Sequence, residues 1–565
     1  MDEHKGGAPA ESATANAWIT MSQEWLKIAT ELNPFMAAGQ QLADQTAESN
    51  PFLKLFPFNY GEMAQALTTV GVDVAMNPLR AQSAYIDLAM KQFEVFVQTS
   101  RQAWGLDSEP VIVPDRKDKR FAAEEWSTYA VFNAIKQSYL LNYNWFLEQL
   151  SKNESLSPAA RRRATFYLKQ YLDGVSPSNS PFLNPVVIEE TAKSGGENLV
   201  KGLNNLADDL RNGRISMVEG AGFEFGKNIA ASKGEVVLRT PILELIQYYP
   251  SAAQVYERPI LIIPPWINKY YILDLQPKNS LVKYLTDQGY TVFMVSWKNP
   301  DESYADFGME DYLTQGILPA TEAVRSITGS PDLNVVGYCI GGTLLSMGLA
   351  ALRAKGDTRF NAVTYFVSLQ DFAEPGDLGV FISSEEQLAD LDKRMSKKGI
   401  LESIDMATAM NLLRGNDLIW SYVVNNYLLG KRPAAFDLLF WNADGTRMTR
   451  KTHHYYLKNM YVQNNLVKPG KLTMLGEQLD LGKIDNDIYA VGTLEDHIVP
   501  WRGAFKINQY ASGHVRFVLA NSGHIAGIVS PPGGKGTYGV NEARTNDPEK
   551  WLKGAEQRKG SWWED

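Results

Sequence analysis

Cysteine is almost absent from this chain of 565 residues, in which Cys339 is the single example. One thiol cannot form an internal disulfide bond, and it cannot supply the thiolate sets of structural zinc sites or iron–sulfur clusters. Disulfides also belong to oxidising compartments. We therefore expect a protein of a reducing compartment, the cytoplasm, with no disulfide and no metal site.

Long apolar runs are lacking as well. No stretch reaches the ~18 consecutive apolar residues of a transmembrane helix. The first residues, MDEHKGGAPAESATANAW, contain neither the basic segment nor the apolar segment of a signal peptide. These two absences predict a protein without a membrane span and again favour the cytoplasm.

A surplus of basic residues is the third absence. Lys and Arg number 55 against 64 Asp and Glu, which gives a net charge of −9. Nucleic-acid-binding proteins usually present a strongly basic face, as do polybasic membrane binders, so we expect no nucleic-acid partner. The apolar fraction of 44% and the charged fraction of 21% are those of a globular protein with a large core.

The hydrophobic pattern predicts that the first part of the chain, residues 1–230, is a mostly helical domain. Ile86, Met90, Phe93 and Val97 are spaced by four, three and four positions, which places them on one face of a helix. Segments that contain proline separate the predicted helices of this domain.

The second part, residues 231–565, alternates short β-branched runs with helical segments. Continuous apolar runs are typical of strands whose two faces are both covered by helices. Between residues 371 and 470 the strand pattern stops, and the sequence is helical and aromatic. We therefore predict an α/β core with an inserted helical cap of the kind that covers an active site. The predicted strands are 259–265, 291–297, 333–338, 362–368, 487–493 and 515–520.

The only cysteine lies in a turn, GYCIGG (337–342), between a predicted strand and a predicted helix. The pattern G-x-C-x-G is typical of a nucleophile elbow, which holds its central residue in a strained conformation next to a helix N-terminus. The helix dipole favours a thiolate there. A buried structural cysteine is the alternative, but the strand, the helix and the only thiol coincide here. We interpret Cys339 as the nucleophile.

A thiol nucleophile needs a base, and the base needs an orienting carboxylate. His524 follows the last predicted strand, and Asp496 follows the strand before it. The order Cys339, Asp496, His524 is that of the α/β-hydrolases. His497 is a second candidate for the base, but we favour a supporting position beside Asp496. The other histidines are expected in the N-terminal tail, in the cap or at the surface: His4, His453, His454 and His514.

Two backbone N–H groups are predicted to form an oxyanion hole. In this architecture the residue after the nucleophile, Ile340, supplies one, and the loop after the first buried strand supplies the other. We choose Ile267 in that loop from its position alone, and a simple strand-to-helix connection is the alternative. The sequence lacks a Walker A loop and an H-E-x-x-H motif. The glycine-rich GGKGTYG (533–539) is predicted to be a loop.

Several motifs resemble those of the polyhydroxyalkanoate synthases. They include GYCIGGT (337–343), LEDHIVP (494–500) and NSGHIAGI (521–528). KDKRFAAEEW (117–126) and PPWINKYYILDL (264–275) extend the resemblance to most of the chain. Within that family the chain resembles the class I type, which has a single kind of subunit.

The resemblance implies an acyltransferase that polymerises an (R)-3-hydroxyacyl-CoA, with 3-hydroxybutyryl-CoA as the first choice, and releases CoA. Cys339 would carry the acyl group, and His524 would generate the thiolate. Asp496 would activate the 3-hydroxyl of the acyl unit, besides any orienting of His524. Coenzyme A belongs to substrate and product, so no cofactor is expected. Trp266 stands where we expect a cysteine in many members, so no second thiol takes part.

The family also implies a homodimer, a location at cytoplasmic polyester granules and contact with granule-associated proteins. Two other classes stay open. One is a cysteine-dependent hydrolase or thioesterase on the same fold, and the other is a non-enzymatic protein of the granule surface. The preferred length of the acyl chain is not determined by the sequence.

Overall fold

The computed structural model describes residues 52, 55–56, 58–382, 384–543 and 545–565. The predictions for the first 51 residues, including the place of His4, lie outside these ranges. The chain forms two compact units. The helical unit contains the described residues up to Ser216 together with Arg414–Pro433. The sheet unit contains Met217–Leu413 and Ala434–Asp565.

Capping residues define several helices of the helical unit. At two N-termini the side chain of Asn59 accepts the N–H of Glu62, and that of Ser157 accepts the N–H of Ala160. Gly213 ends the last helix in the left-handed conformation, with φ 66°. The α-helices are α1 (Tyr60–Met76), α2 (Pro78–Ala103), α3 (Glu125–Thr128), α4 (Ala130–Ser151), α5 (Pro158–Gly174), α6 (Pro185–Lys193) and α7 (Glu197–Asn212), and π-helical segments span Asn416–Trp420 and Val423–Leu428.

The predicted apolar helix face lies on α2, and its helical conformation is confirmed. Ile86, Met90, Phe93 and Val97 are nevertheless exposed. The helix packs against α4 with its other side. The periodicity therefore identified the helix but not the side that the fold buries.

Residues Arg414–Pro433 lie in the middle of the predicted cap but pack within the helical unit. The Tyr427 carbonyl approaches Gly202 of α7 so closely that a Cβ at that glycine would lie 1.8 Å from the oxygen. The Tyr427 hydroxyl also donates to Asp209 at 2.6 Å. The residues of the predicted cap, 371–470, therefore belong to two different units. The sequence did not show this, because an aromatic pattern does not indicate which unit buries a segment.

The helical unit ends at Ser216 rather than at the predicted residue 230. Phe223 and Phe225 pack on Phe440, with ring centroids 4.8 and 5.8 Å apart. These contacts attach the segment after Ser216 to the sheet unit. The sequence did not indicate this because the segment has no strand pattern.

Numbered along the chain, the strands of the sheet unit are β1 (Gly234–Arg239), β2 (Leu243–Tyr248), β3 (Ile260–Ile263), β4 (Val292–Trp297), β5 (Leu333–Tyr338), β6 (Phe360–Phe366), β7 (Ile400–Leu401), β8 (Met448–Thr449), β9 (Thr473–Met474), β10 (Glu477–Gln478), β11 (Asp487–Thr493), β12 (Val515–Ala520), β13 (Thr537–Val540) and β14 (Glu556–Lys559). Ten of them form one sheet in the order β1-β2-β4-β3-β5-β6-β11-β12-β13-β14. The six strands from β4 to β12 in this order are parallel, and antiparallel strands flank them on both sides.

The six predicted strands are confirmed as the parallel centre of the sheet, and β5, β11 and β12 have the predicted bounds. The antiparallel edges were not predicted. The loop predicted at residues 533–539 is wrong from Thr537 onward, where β13 begins. Gly539 lies opposite Leu519 of β12 there. Main-chain pairing with β12 and β14 holds this short strand, TYGV, and its sequence has no long apolar run from which it could have been predicted.

The α-helices of the sheet unit are α8 (Leu281–Asp287), α9 (Met309–Asp311), α10 (Leu318–Thr328), α11 (Ile340–Ala354), α12 (Glu385–Met395), α13 (Ser403–Leu413), α14 (Asp437–Ala443), α15 (Arg450–Tyr456), α16 (Trp501–Phe505), α17 (Ile507–Tyr510) and α18 (Pro548–Lys553), with π-helical segments at Tyr312–Ile317 and Leu457–Val462. The helix after β5, α11, is buried from Ile340 to Leu352. Such a helix is apolar on all sides because it lies inside the core. In the described ranges, no helix is both long and apolar enough to cross a membrane.

Candidate active site

Cys339 lies between the end of β5 and the start of α11, at the predicted turn. Its backbone has φ 51° and ψ −123°, a conformation that is strained for a residue with a side chain. The Cys339 N–H donates to the carbonyl of Phe366 at 2.9 Å, which extends the pairing of β5 and β6 into the turn. The residue is only 8% exposed. The neighbouring strand thus holds the thiol at the tip of a tight elbow.

The glycines of the elbow are required by close backbone contacts. A Cβ at Gly341 would lie 2.4 Å from the carbonyl oxygen of Ile263, at the end of β3. A Cβ at Gly337 would lie 2.5 Å from the Cα of Gly342. A side-chain carbon does not approach other atoms so closely, so only glycine fits at these two positions. The packing of the turn therefore requires both glycines of the G-x-C-x-G pattern.

Asp496 follows β11 and has both carboxylate oxygens occupied by hydrogen bonds. Oδ1 accepts the N–H groups of Ile498 at 2.9 Å and Val499 at 2.8 Å. Oδ2 lies 2.7 Å from Nδ1 of His524 and accepts the Thr493 hydroxyl at 3.2 Å. The side chain is fully buried. These contacts fix the carboxylate in one orientation toward the imidazole.

His524 follows β12 and connects Asp496 with the thiol. Because Nδ1 faces the carboxylate, Nε2 is the nitrogen available for the hydrogen bond that the imidazole makes with Cys339. Burial by itself would lower the pKa of His524, but the charges and hydrogen bonds of Asp496 and Cys339 outweigh it and raise the pKa to about 10. At neutral pH the site therefore holds an imidazolium beside the sulfur.

The predicted oxyanion donors belong to two different segments of the sheet unit. Ile340 is the first residue of α11, where a backbone N–H has no acceptor within its own helix. Ile267 lies in the loop after β3. Hydrogen bonds to two carbonyl groups of this loop fix its position. Trp266 accepts the Thr446 hydroxyl at 2.9 Å, and Lys269 accepts the Trp441 indole N–H at 2.7 Å. The donor function of both isoleucines stays a prediction.

The other described histidines lie elsewhere. His514 is exposed just before β12, as predicted. His453 and His454 lie on α15, within the predicted cap. Burial lowers the pKa of His453 to about 4, which keeps its imidazole neutral. His497 is half-buried next to Asp496, and its carbonyl accepts the N–H of Asp377 at 2.8 Å.

Three tyrosines near the thiol were not identified from the sequence. The ring of Tyr338 lies 6.1 Å from that of His524, and its buried hydroxyl has no hydrogen-bond partner among the described residues. Tyr456 and Tyr461 both interact electrostatically with Cys339. Tyr338 could have been noticed as the neighbour of the nucleophile, but nothing in the sequence places the other two.

No group of three or more His, Cys, Asp or Glu side chains suited to a metal ion occurs in the part of the chain that the structure describes. The prediction of no metal site was made from cysteine content and motifs alone. The candidate site consists of one thiol, one imidazole and one carboxylate, which is a set for nucleophilic acyl transfer.

Comparison with known proteins identifies the family. Residues 117–285 match the N-terminal region of poly-beta-hydroxybutyrate polymerase (PhaC), and residues 258–531 match the alpha/beta hydrolase fold. A poly(3-hydroxyalkanoate) polymerase of Methylorubrum extorquens is 42% identical over 544 residues, which are 95% of this chain and 88% of that protein. The chain belongs to the poly(3-hydroxyalkanoate) polymerase family.

A second relative from this family is the poly(3-hydroxyalkanoate) polymerase subunit PhaC of Cupriavidus necator. It is 41% identical over 455 residues, which are 79% of this chain and 77% of that protein. The resemblance drawn from the motifs is thereby confirmed, as are the expected α/β-hydrolase fold and the assignment to an acyltransferase enzyme. The polymerase family therefore supplies the context in which the elbow, the histidine and the aspartate are interpreted.

Proposed function

We propose that this chain polymerises (R)-3-hydroxyacyl-CoA into a polyester and releases CoA, with Cys339 as the covalent acyl carrier. One observation carries the proposal. In a member of the polymerase family, the only thiol of the sequence lies at a strained elbow and is connected through His524 to the buried Asp496. The first substrate to consider is 3-hydroxybutyryl-CoA.

Acylation starts from the thiolate of Cys339 beside the imidazolium of His524. The sulfur attacks the thioester carbonyl, and the N–H groups of Ile340 and Ile267 donate to the oxyanion that forms. The carbon–sulfur bond to CoA then breaks. The CoA sulfur leaves with the proton of His524, and the acyl group stays on Cys339 as a new thioester.

Elongation needs a base for the attacking hydroxyl. Having given its proton to CoA, His524 can accept the proton of the 3-hydroxyl of a second 3-hydroxyacyl-CoA as that oxygen attacks the acyl group on Cys339. An ester forms, the bond from the acyl carbon to Cys339 breaks, and the freed thiolate then takes the lengthened chain from CoA by the same acylation step. Among the described residues, the hydrogen bonds on the Asp496 carboxylate come from the backbone, Thr493 and His524, which supports an orienting function for this carboxylate. Direct activation of the hydroxyl by Asp496 is the other possibility that the family resemblance raised.

Access to the site requires movement. Cys339 is only 8% exposed, whereas the substrate carries the whole of CoA. We assign the movement to the described cap segments within the sheet unit, 371–382, 384–413 and 434–470, because Thr446 and Trp441 of this region hold the loop of Trp266. The reaction uses no cofactor besides the CoA of its substrate.

The proposal includes the surroundings of the enzyme. A growing polyester attached to Cys339 would keep the protein at a granule surface in the cytoplasm, and the exposed apolar face of α2 supports contact with a low-polarity material. The family resemblance also implies a homodimer as the active form and contact with granule-associated proteins.

A cysteine-dependent thioesterase is the alternative on the same fold. Membership in the polymerase family, over 95% of the chain, favours the polymerase. The purified protein is given 3-hydroxybutyryl-CoA, and CoA, insoluble polyester and free 3-hydroxy acid are measured together. Formation of polyester in proportion to the CoA released supports the proposal. Release of CoA together with free 3-hydroxy acid, and without polyester, would establish the thioesterase.

A further inference from the structure

A continuous row of aromatic rings lies beside the nucleophile within the sheet unit. Ring centroids are 6.1 Å apart for Trp266 and Tyr456, 5.8 Å for Tyr456 and Tyr461, and 5.2 Å for Phe372 and Tyr461. We call these four residues the aromatic wall. Behind it, Tyr312 packs on Trp266 with centroids 5.2 Å apart. None of the proposed acylation or elongation steps uses these rings.

The aromatic wall is attached to the turn that carries the nucleophile. The side chain of Tyr456 forms a hydrogen bond with that of Thr343. The Thr343 hydroxyl donates to the Leu369 carbonyl at 2.8 Å. Thr343 is on the first turn of α11, and its N–H donates to the Cys339 carbonyl at 3.3 Å. Burial raises the pKa of Tyr456 and of Tyr461, and the Cys339 sulfur raises both further. The two phenol groups therefore lie close enough to the sulfur to be affected by its charge, and so close to any acyl group that the sulfur would carry.

A second set of contacts holds the outer end of the wall. Asn464 follows the π-helical segment of Tyr461 and has φ 45°. Its side chain donates to Asp371 at 2.8 Å and accepts the N–H of Phe372 at 2.9 Å. Tyr510 also donates to Asp371, at 2.5 Å. The side chain of Asn464 thus connects the chain segment after Tyr461 with the segment of Phe372 by hydrogen bonds.

Tyr461 differs from its neighbours in exposure. Trp266, Phe372 and Tyr456 are buried, whereas Tyr461 is only partly buried. The ring is backed by Phe372 and Tyr456 and cannot fold away without disturbing their packing.

We propose that Tyr461 determines the length of the acyl group that the enzyme accepts. Its ring occupies the space that a long substituent on C3 of the acyl unit would need, so the aromatic wall admits a methyl or ethyl substituent and rejects propyl and longer ones. This inference rests on the proposed function, because it assigns the acyl length at the same nucleophile.

The test compares three variants with the unchanged protein. Tyr461→Ala removes the ring, and Tyr461→Phe keeps its size. Tyr455→Ala makes the same truncation outside the aromatic wall, on α15, the helix that precedes the π-helical segment of Tyr461. CoA release and polymer are measured with 3-hydroxybutyryl-CoA, 3-hydroxyhexanoyl-CoA and 3-hydroxyoctanoyl-CoA. We expect Tyr461→Ala to raise kcat/KM for the six-carbon substrate relative to the four-carbon one by about tenfold or more. The other two variants should leave this ratio unchanged.

An unchanged ratio in Tyr461→Ala, with 3-hydroxybutyryl-CoA still polymerised, would overturn the inference. An equal shift in Tyr455→Ala would do the same, because it would show a general loosening of the cap. If Tyr461→Ala does not fold, Tyr461→Leu is measured by the same criterion. Failure of the proposed function looks different, because the unchanged protein would then release CoA without any polymer.

Discussion

Nδ1 of His524 lies 2.7 Å from Oδ2 of Asp496, and both side chains are buried. A buried carboxylate that meets one ring nitrogen leaves the other nitrogen to face the thiol, and it stabilises a positive imidazole. The same contact therefore sets the tautomer, the orientation and the charge of the proposed base. Each of these properties can be tested separately.

Replacement of the thiol tests the covalent mechanism. Cys339→Ala should lower CoA release from 3-hydroxybutyryl-CoA by at least about 10³-fold, because the acyl carrier is lost. Alanine is smaller than cysteine and fits the elbow, so thermal unfolding should stay close to that of the unchanged protein. Normal CoA release by the folded variant would exclude a Cys-bound acyl intermediate.

Asp496→Asn distinguishes the two functions considered for this carboxylate. The amide cannot hold the imidazole in the same tautomer, so we expect acylation of Cys339 to slow by about 10³- to 10⁴-fold, as for loss of an orienting carboxylate. The measurement is a rapid-quench single turnover with labelled substrate, with His524→Gln as the reference for lost acylation. Rapid labelling of the enzyme without polymer would instead show that Asp496 activates the incoming hydroxyl.

The raised pKa of His524 predicts a pH dependence of stability. The pKa is about 10 in the folded protein against an ordinary value of 6.5, so the folded state binds this proton more tightly. The resulting stabilisation is fully present below pH 6.5 and is lost as the pH rises through 10. The free energy of unfolding, measured by denaturant titration, should fall over this range by more in the unchanged protein than in His524→Gln.

Cys339→Ala serves as the control for that titration. It removes one of the two groups that raise the pKa of His524 and leaves the other, Asp496, in place. The extra loss of stability should then end at a lower pH, and be smaller in total, than in the unchanged protein. Identical pH profiles for the unchanged protein and His524→Gln would show that the imidazole gains no proton affinity on folding.

The close contact at Gly341 predicts a strict requirement for glycine. A Cβ there would lie 2.4 Å from the Ile263 carbonyl, so Gly341→Ala must shift either the elbow or the loop after β3. We expect a loss of about 1–3 kcal/mol in the free energy of unfolding and a larger loss of activity, because both predicted oxyanion donors move.

Gly71→Ala is the matched control for Gly341→Ala. Gly71 lies inside α1, and nothing approaches the position of its added Cβ within 4 Å. The same substitution should stabilise this helix by about 0.5–1 kcal/mol and leave activity unchanged. Equal effects of the two substitutions on stability and activity would contradict the assigned contact.

Much of the central architecture could be predicted because it depends on local signals. The apolar runs of β5, β11 and β12 gave their bounds, since strands buried on both faces admit few polar residues. The glycines around Cys339 identified the elbow, because only glycine tolerates backbone contacts as close as those at Gly337 and Gly341. The order of Cys339, Asp496 and His524 along the sequence then matched the order of nucleophile, acid and histidine in the α/β-hydrolases.

Tertiary structure alone decided the features that depend on residues far apart in the chain. Tyr427 packs on Gly202, which places part of the predicted cap in the helical unit, although the two residues are 225 positions apart by their numbers (427 − 202). The aromatic wall combines Trp266, Phe372 and Tyr461 from three separate segments. An aromatic side chain is equally apolar in the core, at a pocket or at a surface, as Phe93 on α2 shows by its exposure. Its position depends on which distant segment packs against it, and a single sequence does not encode that in any local pattern.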